Sequence, residues 1–309
     1  MSPSTLGVTV AGQRYANPIV LAAGTAAYGR ELDDVMDLRA VGGIVTKAVS
    51  PEERHGAPAP RVADFEGGMI NAVGLANPGL AGVVAHELPW LAAHRGPLRV
   101  LVNVVGKVLD DFPTVIAGLE GAEGFDGYEL NVSCPNVKAG GLEFGADRAV
   151  LSELVRRARS LTARPLFVKL SPTLPDVAGT AQCAVDAGAT GITVVNTIPG
   201  LVIDVDRRRP MLGFGSGGVS GAALLPVGVL ATWKVSRAVS APIIGVGGVQ
   251  SASDALQYLL AGASLVGMGT AALADPKRPA RVVRDLARWC DRHGVRSLDE
   301  IIGRLEWPV

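Results

Sequence analysis

Eight short aliphatic runs, each followed by a stretch with helical spacing, constrain this 309-residue chain more than any other feature. The runs fall at residues 18–22, 43–47, 99–103, 127–131, 165–169, 191–197, 242–248 and 264–270. Helical patterns follow at 33–40, 80–93, 112–119, 147–161, 176–187, 227–239, 251–260 and 279–291. Asp147 is placed to cap its helix. Arg156, Arg157 and Arg159 gather towards that helix's carboxyl end, as the macrodipole favours, and Gly188 suits the end of the next. Strict alternation predicts the α/β class and, within it, a (β/α)8 TIM barrel in preference to a doubly wound sheet of similar content. An irregular Pro- and Gly-rich stretch at 50–78 and a long insertion at 198–226 both lie after strands and join the same face. No domain boundary is visible, so 1–309 reads as a single domain.

Composition agrees with that frame. Apolar residues make up 48% and aromatics only 5%, so the core must be aliphatic, and 39 glycines suit many tight strand–helix turns. The 29 basic and 29 acidic side chains balance, leaving no surplus that points to nucleic acid. Cys134, Cys183 and Cys290 are scattered and odd in number, with no Cys-x-x-Cys, which argues against a disulfide framework, a zinc site or an iron–sulfur cluster in this chain. The amino-terminal residues lack a signal-peptide pattern and no apolar run reaches membrane-spanning length, so a cytoplasmic location is expected, with no membrane contact.

Barrels carry their chemistry at the carboxyl ends of the strands. Here those ends hold Lys47, Asn103, Asn131, Lys169, Asn196 with Thr197, Gly247 with Gly248, and Gly269 with Thr270. Amides and ammonium groups beside an apolar barrel are costly without partners, so their coincidence predicts a ligand cage. The two glycine-containing pairs after the last two strands suit a phosphate, which backbone N–H groups and a helix amino terminus attract. Lys169 is placed to stabilise negative charge on a reduced ring. Asn71, Asn131 and Asn196 offer donors and acceptors to a ring bearing imide and amide groups, whereas Asn77 before Pro78 reads as turn chemistry.

Cys134 stands just past the fourth strand. Pro135 ends any ladder there, and Gly140, Gly141 and Gly145 suit a mobile loop. A thiol with an ordinary pKa of about 8.5 is a fair base near neutrality; a buried structural thiol is the other reading. Several further matches carry little. Residues 213–218 fit G-x-G-x-x-G but join no strand to a helix, and read as a flexible glycine loop. His55, His86, His94 and His293 show no metal spacing, and no metal site is expected. Cys183 and Cys290 read as buried bystanders on helices. Arg207, Arg208 and Arg209 suit either a solvated loop or a partner contact.

Taken together, Asn131-Val132-Ser133-Cys134-Pro135-Asn136, Asn71-Ala72-Val73-Gly74-Leu75-Ala76-Asn77-Pro78-Gly79 and the closing Gly-Gly and Gly-Thr pairs resemble the dihydroorotate dehydrogenases, over residues 18–270. Cys134, where the membrane-bound class has serine, resembles the soluble class 1 enzymes. Val137-Lys138-Ala139-Gly140-Gly141 with Phe144-Gly145-Ala146-Asp147 resembles the class 1B catalytic subunit. The resemblance implies an FMN-bound barrel that oxidises dihydroorotate to orotate in pyrimidine synthesis. Cys134 would take the C5 proton while a hydride passes from C6 to flavin N5. It implies substrate contacts from Lys47, Asn71, Ala72, Val73, Gly74, Leu75, Asn131, Asn196 and Thr197. It assigns FMN to Ala23, Lys47, Ala48, Asn103, Asn131, Lys169, Val195, Gly221, Gly247, Gly248, Gly269 and Thr270. Ala23 departs from a frequent serine and would weaken flavin binding without abolishing it. Class 1B further implies a homodimer within a heterotetramer, whose reductase subunit carries FAD and a [2Fe-2S] cluster and delivers electrons to NAD. The neighbouring expectations are a fumarate-reducing class 1A homodimer, a dihydropyrimidine dehydrogenase-like enzyme, and an FMN-dependent tRNA-dihydrouridine synthase. The last wants a basic face and an RNA-binding extension, and neither is evident.

Overall fold

A computed structural model of the chain describes residues 6–133, 135–136 and 142–308. Eight parallel strands close into a barrel in sequence order: β1 (Ile19–Leu21), β2 (Gly43–Val45), β3 (Arg99–Val104), β4 (Gly127–Asn131), β5 (Leu166–Leu170), β6 (Gly191–Val194), β7 (Ile243–Val246) and β8 (Leu265–Met268). The α/β barrel expected from the alternation is therefore present. A short hairpin, Val8–Val10 with Gln13–Tyr15, precedes it.

The direction of each strand's side chains follows from one contact. A Cβ built on Gly245 would run into the ring of Tyr258, which lies on the outer helix Ala252–Leu260, so Gly245 faces outward. Side chains alternate along a strand, so Ile244 and Val246 point into the barrel. The ladder carries that parity round: Val246 pairs with Gly267, Gly267 with Val20, Val20 with Gly43, Val45 with Leu101, and Leu101 with Gly127. Glycines supply the room inside. Gly191 lies under the ring of Phe167, where any side chain would collide. The same parity turns Asn103, Glu129, Asn131, Lys169 and Thr193 inward.

The helices pack outside, for local reasons. Helix Arg148–Arg159 starts where the Asp147 carboxylate accepts from Ala149 N and Val150 N, at 2.8 and 3.2 Å. It buries Leu151, Leu154, Val155 and Ala158, one stripe at helical spacing. Helix Ala252–Leu260 begins with a reciprocal Ser251–Asp254 capping box.

Three expectations need correction. The helix expected at 33–40 is instead a single turn, Arg30–Asp33, and a 3-10 turn, Leu38–Ala40. Asp37, towards the carboxyl end of that stretch, opposes the helix dipole and instead starts a new turn by accepting from Arg39 N. The stretch 50–78 is not wholly irregular, because Val62–Phe65 and Gly68–Asn71 form a hairpin. The second insertion adds Gly217–Ser220 and Ile198–Gly200, completing a four-stranded antiparallel sheet. Residues 213–218 are consequently no free glycine loop. Gly217 and Gly218 belong to a strand, where a Cβ would strike Asn71 O and Thr197 Oγ1 respectively.

Among the described residues no helix is long and apolar enough to cross a membrane. At the amino-terminal end of the barrel, Asp126 accepts from Arg95, from Arg99 Nη1 at 2.9 Å and from Val100 N at 2.9 Å, with its side chain 8% exposed. Asp126→Ala leaves two guanidinium groups and one amide short of an acceptor. It is expected to lower the unfolding free energy by about 2–3 kcal/mol, read from urea denaturation; a loss under about 1 kcal/mol would show that water already satisfies both arginines.

Candidate functional site

At the carboxyl end of the barrel the inward-facing polar residues come from adjacent strands. Asn103 and Glu129 are each 1% exposed, and Asn103 Nδ2 donates to Glu129 Oε1 at 2.7 Å. Lys169, 7% exposed, pairs in register with Asn131 on one side and Thr193 on the other. No carboxylate lies within 4.0 Å of its ammonium among the described residues. The Thr193 hydroxyl is buried with no hydrogen-bond partner, as is that of Ser133, one residue before Cys134. A largely buried ammonium with no counter-charge, beside unpaired hydroxyls at the end of an apolar barrel, is unfavourable unless a ligand meets them.

One side of the mouth is amide-rich. Asn196 Nδ2 donates to Asn131 Oδ1 at 3.1 Å, and Asn196 Oδ1 accepts from Thr197 N at 2.9 Å. Gly218 of the insertion sheet lies against Thr197, and its carbonyl accepts from Asn71 Nδ2 at 3.2 Å. Asn71, Asn131, Asn196 and Thr197 therefore belong to one connected group, although they are spread over 127 positions of sequence. The segment after Asn71 is held by backbone bonds, Ala72 N to Arg61 O at 2.8 Å and Ala57 N to Val73 O at 3.1 Å. It then turns through Gly74 and Leu75, both at positive φ, and lays Leu75 on Ala48 and Val105 at the ends of β2 and β3. Lys47 follows β2, half-buried, with its N–H bonded to Ala27 O at 2.7 Å. Asn77 is the turn residue expected: its side-chain oxygen accepts from Gly79 N and Ser50 N.

The other side is glycine-rich. Gly247 and Gly248 leave β7 at φ +135° and +72°, and a Cβ on Gly248 would stand 2.5 Å from Leu225 N. The Tyr258 hydroxyl donates to Gly247 O at 2.7 Å, and burial pushes its phenol pKa up, so it remains a donor. Gly269 caps the turn Thr270–Ala274; a Cβ there would fill the space above Ala22 and Thr25 at 3.8 and 3.5 Å. Thr270 Oγ1 donates to Ser220 Oγ at 2.8 Å, and Ser220 continues into Gly221 at φ +107°. Ala23 packs half-buried against the core, and Val195 is 2% exposed with its N–H on Val246 O at 3.0 Å. Glycine turns with room above Gly269, and a Lys169 ammonium with no carboxylate partner among the described residues, fit the phosphate and the anionic ring of the FMN that the resemblance implies.

Cys134 and residues 137–141 lie outside the described residues. Around them, Glu143 pairs with Pro135 across a short ladder, and burial raises its carboxyl pKa. The remaining cysteines stand apart from the rim. Cys290 is fully buried, which pushes its thiol up, and Cys183 is half-buried beside Ser152 Oγ at 3.0 Å. His94 and His293 stack on Trp90 and Trp289, and no cluster of three metal-ligating side chains occurs among the described residues. A hollow of about 280 Å³ at the opposite end of the barrel, between Trp233, Pro242, Ser264 and Leu305, shares no residue with the rim. Sequence reading passed over Glu129, Thr193, Gly218 and Ser220. Strand alternation from Asn131 was enough to flag Glu129; the other three depend on pairings far apart in the chain.

Lys169→Met removes a largely buried cation that has no carboxylate partner among the described residues. The ligand-free protein is expected to gain about 0.5–2 kcal/mol, seen as a higher calorimetric unfolding midpoint. An unchanged or lower midpoint would mean that the ammonium is already satisfied without ligand.

Comparison with known proteins bears on this rim. A family model described as dihydroorotate dehydrogenase matches residues 5–289. The chain is 40% identical over 306 residues to a "Dihydroorotate dehydrogenase B (NAD(+)), catalytic subunit" of Geobacter sp. (strain M21), covering 99% of this chain and 100% of the relative. A relative of the same name from Desulforudis audaxviator is 42% identical over 296 residues, 96% of each. A "Putative dihydroorotate dehydrogenase A (fumarate)" of Solibacter usitatus is 42% identical over 307 residues, covering 99% and 100%.

Proposed function

The chain belongs to the dihydroorotate dehydrogenase family, and on that premise we propose that it oxidises dihydroorotate to orotate in pyrimidine synthesis on a bound FMN, as one cytoplasmic catalytic domain. The observation that carries this reading is the largely buried Lys169, with no carboxylate partner among the described residues, in the amide-lined mouth of a chain that matches such enzymes end to end.

Each group has a task that its chemistry suits. Gly247, Gly248, Gly221, Gly269 and Thr270 would hold the FMN phosphate with backbone N–H groups and one hydroxyl. Asn103, Asn131 and Lys169 would meet the polar edge of the flavin ring, and Ala23, Lys47, Ala48 and Val195 its remaining surface. When bound, FMN supplies the acceptor for the hydride that leaves C6. Lys47 would face the substrate carboxylate, while Asn71, Asn131, Asn196 and Thr197 satisfy the imide and amide edges of the pyrimidine. Ala72, Val73, Gly74 and Leu75 cover the substrate from the first insertion and keep water out. Cys134 takes the proton from C5. Only its thiolate is a base, so a thiol near its ordinary pKa of about 8.5 makes the step faster as pH rises from 7 to 9.

The protein should purify yellow, and its flavin should bleach anaerobically on addition of dihydroorotate. Cys134→Ser keeps the colour but slows bleaching by about 10²–10⁴-fold and moves the rise with pH upward, since a serine hydroxyl is a far weaker acid. Bleaching at the wild-type rate would remove Cys134 from the proton transfer.

For the electrons, we infer a homodimer joined to a reductase subunit that carries FAD and a [2Fe-2S] cluster and reduces NAD. Relatives named as NAD-dependent catalytic subunits support this reading. The relative named for fumarate supports a second one, a homodimer that reduces fumarate directly. Co-purification from the native host, followed by assay with each acceptor, separates them. A cluster-bearing partner with NAD reduction supports the first; a partner-free dimer active with fumarate supports the second.

A further inference from the structure

We propose that Glu129 is a positioning residue for the flavin site: its carboxyl fixes the Asn103 amide in one orientation, so that the amide turns its oxygen and second N–H to the ligand. The proposal rests on the FMN reading above and adds a residue that reading does not use.

The two side chains lie opposite each other on β3 and β4, both facing into the barrel, and both are 1% exposed. Their bond, Asn103 Nδ2 to Glu129 Oε1 at 2.7 Å, is short for an amide donor. Asn103 is otherwise fixed through its backbone: its N–H donates to Thr46 Oγ1 at 3.2 Å, and its carbonyl accepts from Val49 N at 2.8 Å. The terminal torsion of an asparagine is soft and its two ends are nearly equal in shape, so the backbone alone does not choose between the two flips. A neighbour that offers an oxygen acceptor makes the choice. Among the described residues no donor reaches Asn103 Oδ1, which leaves that oxygen for a ring N–H.

A role in stability alone accounts poorly for the same observations. No arginine, lysine or histidine stands within 4.0 Å of Glu129 among the described residues, so it is not half of an ion pair. A buried carboxyl held by one amide is a poor stabiliser compared with an apolar side chain of similar volume. The oriented amide is what the carboxyl contributes.

The test compares Glu129→Leu, which fills nearly the same space without an acceptor, with Glu129→Gln, which restores an oxygen. FMN is titrated into each protein after flavin removal, and unfolding midpoints are measured on the same preparations. In the leucine variant the midpoint should hold or rise, the FMN dissociation constant should increase about tenfold, and the flavin absorption band should shift. In the glutamine variant the constant should stay within about twofold of wild type. In an Asn103→Ala background, Glu129→Leu should add less than about twofold, because the group it orients is gone.

Unchanged FMN affinity in Glu129→Leu overturns the proposal, and so does an equal further loss in the Asn103→Ala background. A leucine variant that cannot fold assigns the carboxyl to folding and overturns it as well. Wild-type protein that takes up no FMN overturns the reading of the site itself, a failure visible before any variant is compared.

Discussion

Closure of the eight-stranded ladder is the constraint on which the rest depends. Because the strands pair in sequence order and β8 returns to β1, every inward side chain shares one interior of fixed width. Glycines at 43, 127, 191 and 267 relieve the crowding, and Phe167 fills the space over Gly191. That economy leaves little solvent for polar groups, so each one facing inward must have a partner or wait for one. Glu129 and Asn103 have each other. Thr193 has none among the described residues and Lys169 has no carboxylate partner there, which places the open chemistry on β5 and β6, next to the amides of Asn131 and Asn196.

The two ends of the barrel treat charge in opposite ways. At the amino-terminal end the Asp126 carboxylate is matched by Arg95, Arg99 and a backbone N–H, a closed arrangement that stabilises the fold and offers nothing to a ligand. At the carboxyl end the ammonium of Lys169 is left open. A chain selected for stability alone would close both, so the open end is where stability gives way to binding.

The strand Gly217–Ser220 joins the two halves of the mouth. Through Gly218 it touches Asn71 and Thr197, the amide side; through Ser220 it touches Thr270, the glycine side. It pairs with Gly68–Asn71, so the two insertions form one sheet, and that sheet fixes the distance between the two halves. A side chain at Gly218 would push Thr197 off, which is why a strand of low intrinsic propensity is kept there.

That strand also explains where sequence reading stopped. The barrel was legible because its signal is local: eight aliphatic runs, each with its own helix, and polar residues at their ends. Lys47, Asn103, Asn131 and Lys169 needed nothing more than their position at a strand terminus. Gly217–Ser220 gives no such signal, since two of its four residues are glycine and its partner lies almost 150 positions away, at Asn71. Its identity as a strand comes from backbone bonds and from contacts that forbid a Cβ, and neither is written in hydrophobic period. The helix expected at 33–40 fails for the converse reason. Its apolar spacing was adequate, but Asp37 accepts from Arg39 N and so starts a separate turn where a continuous helix would have run on. Glu129 lies between these cases. Period two counted back from Asn131 puts its carboxyl inside the barrel, so its burial follows from sequence, whereas its pairing with Asn103 needs the register of two strands 26 residues apart.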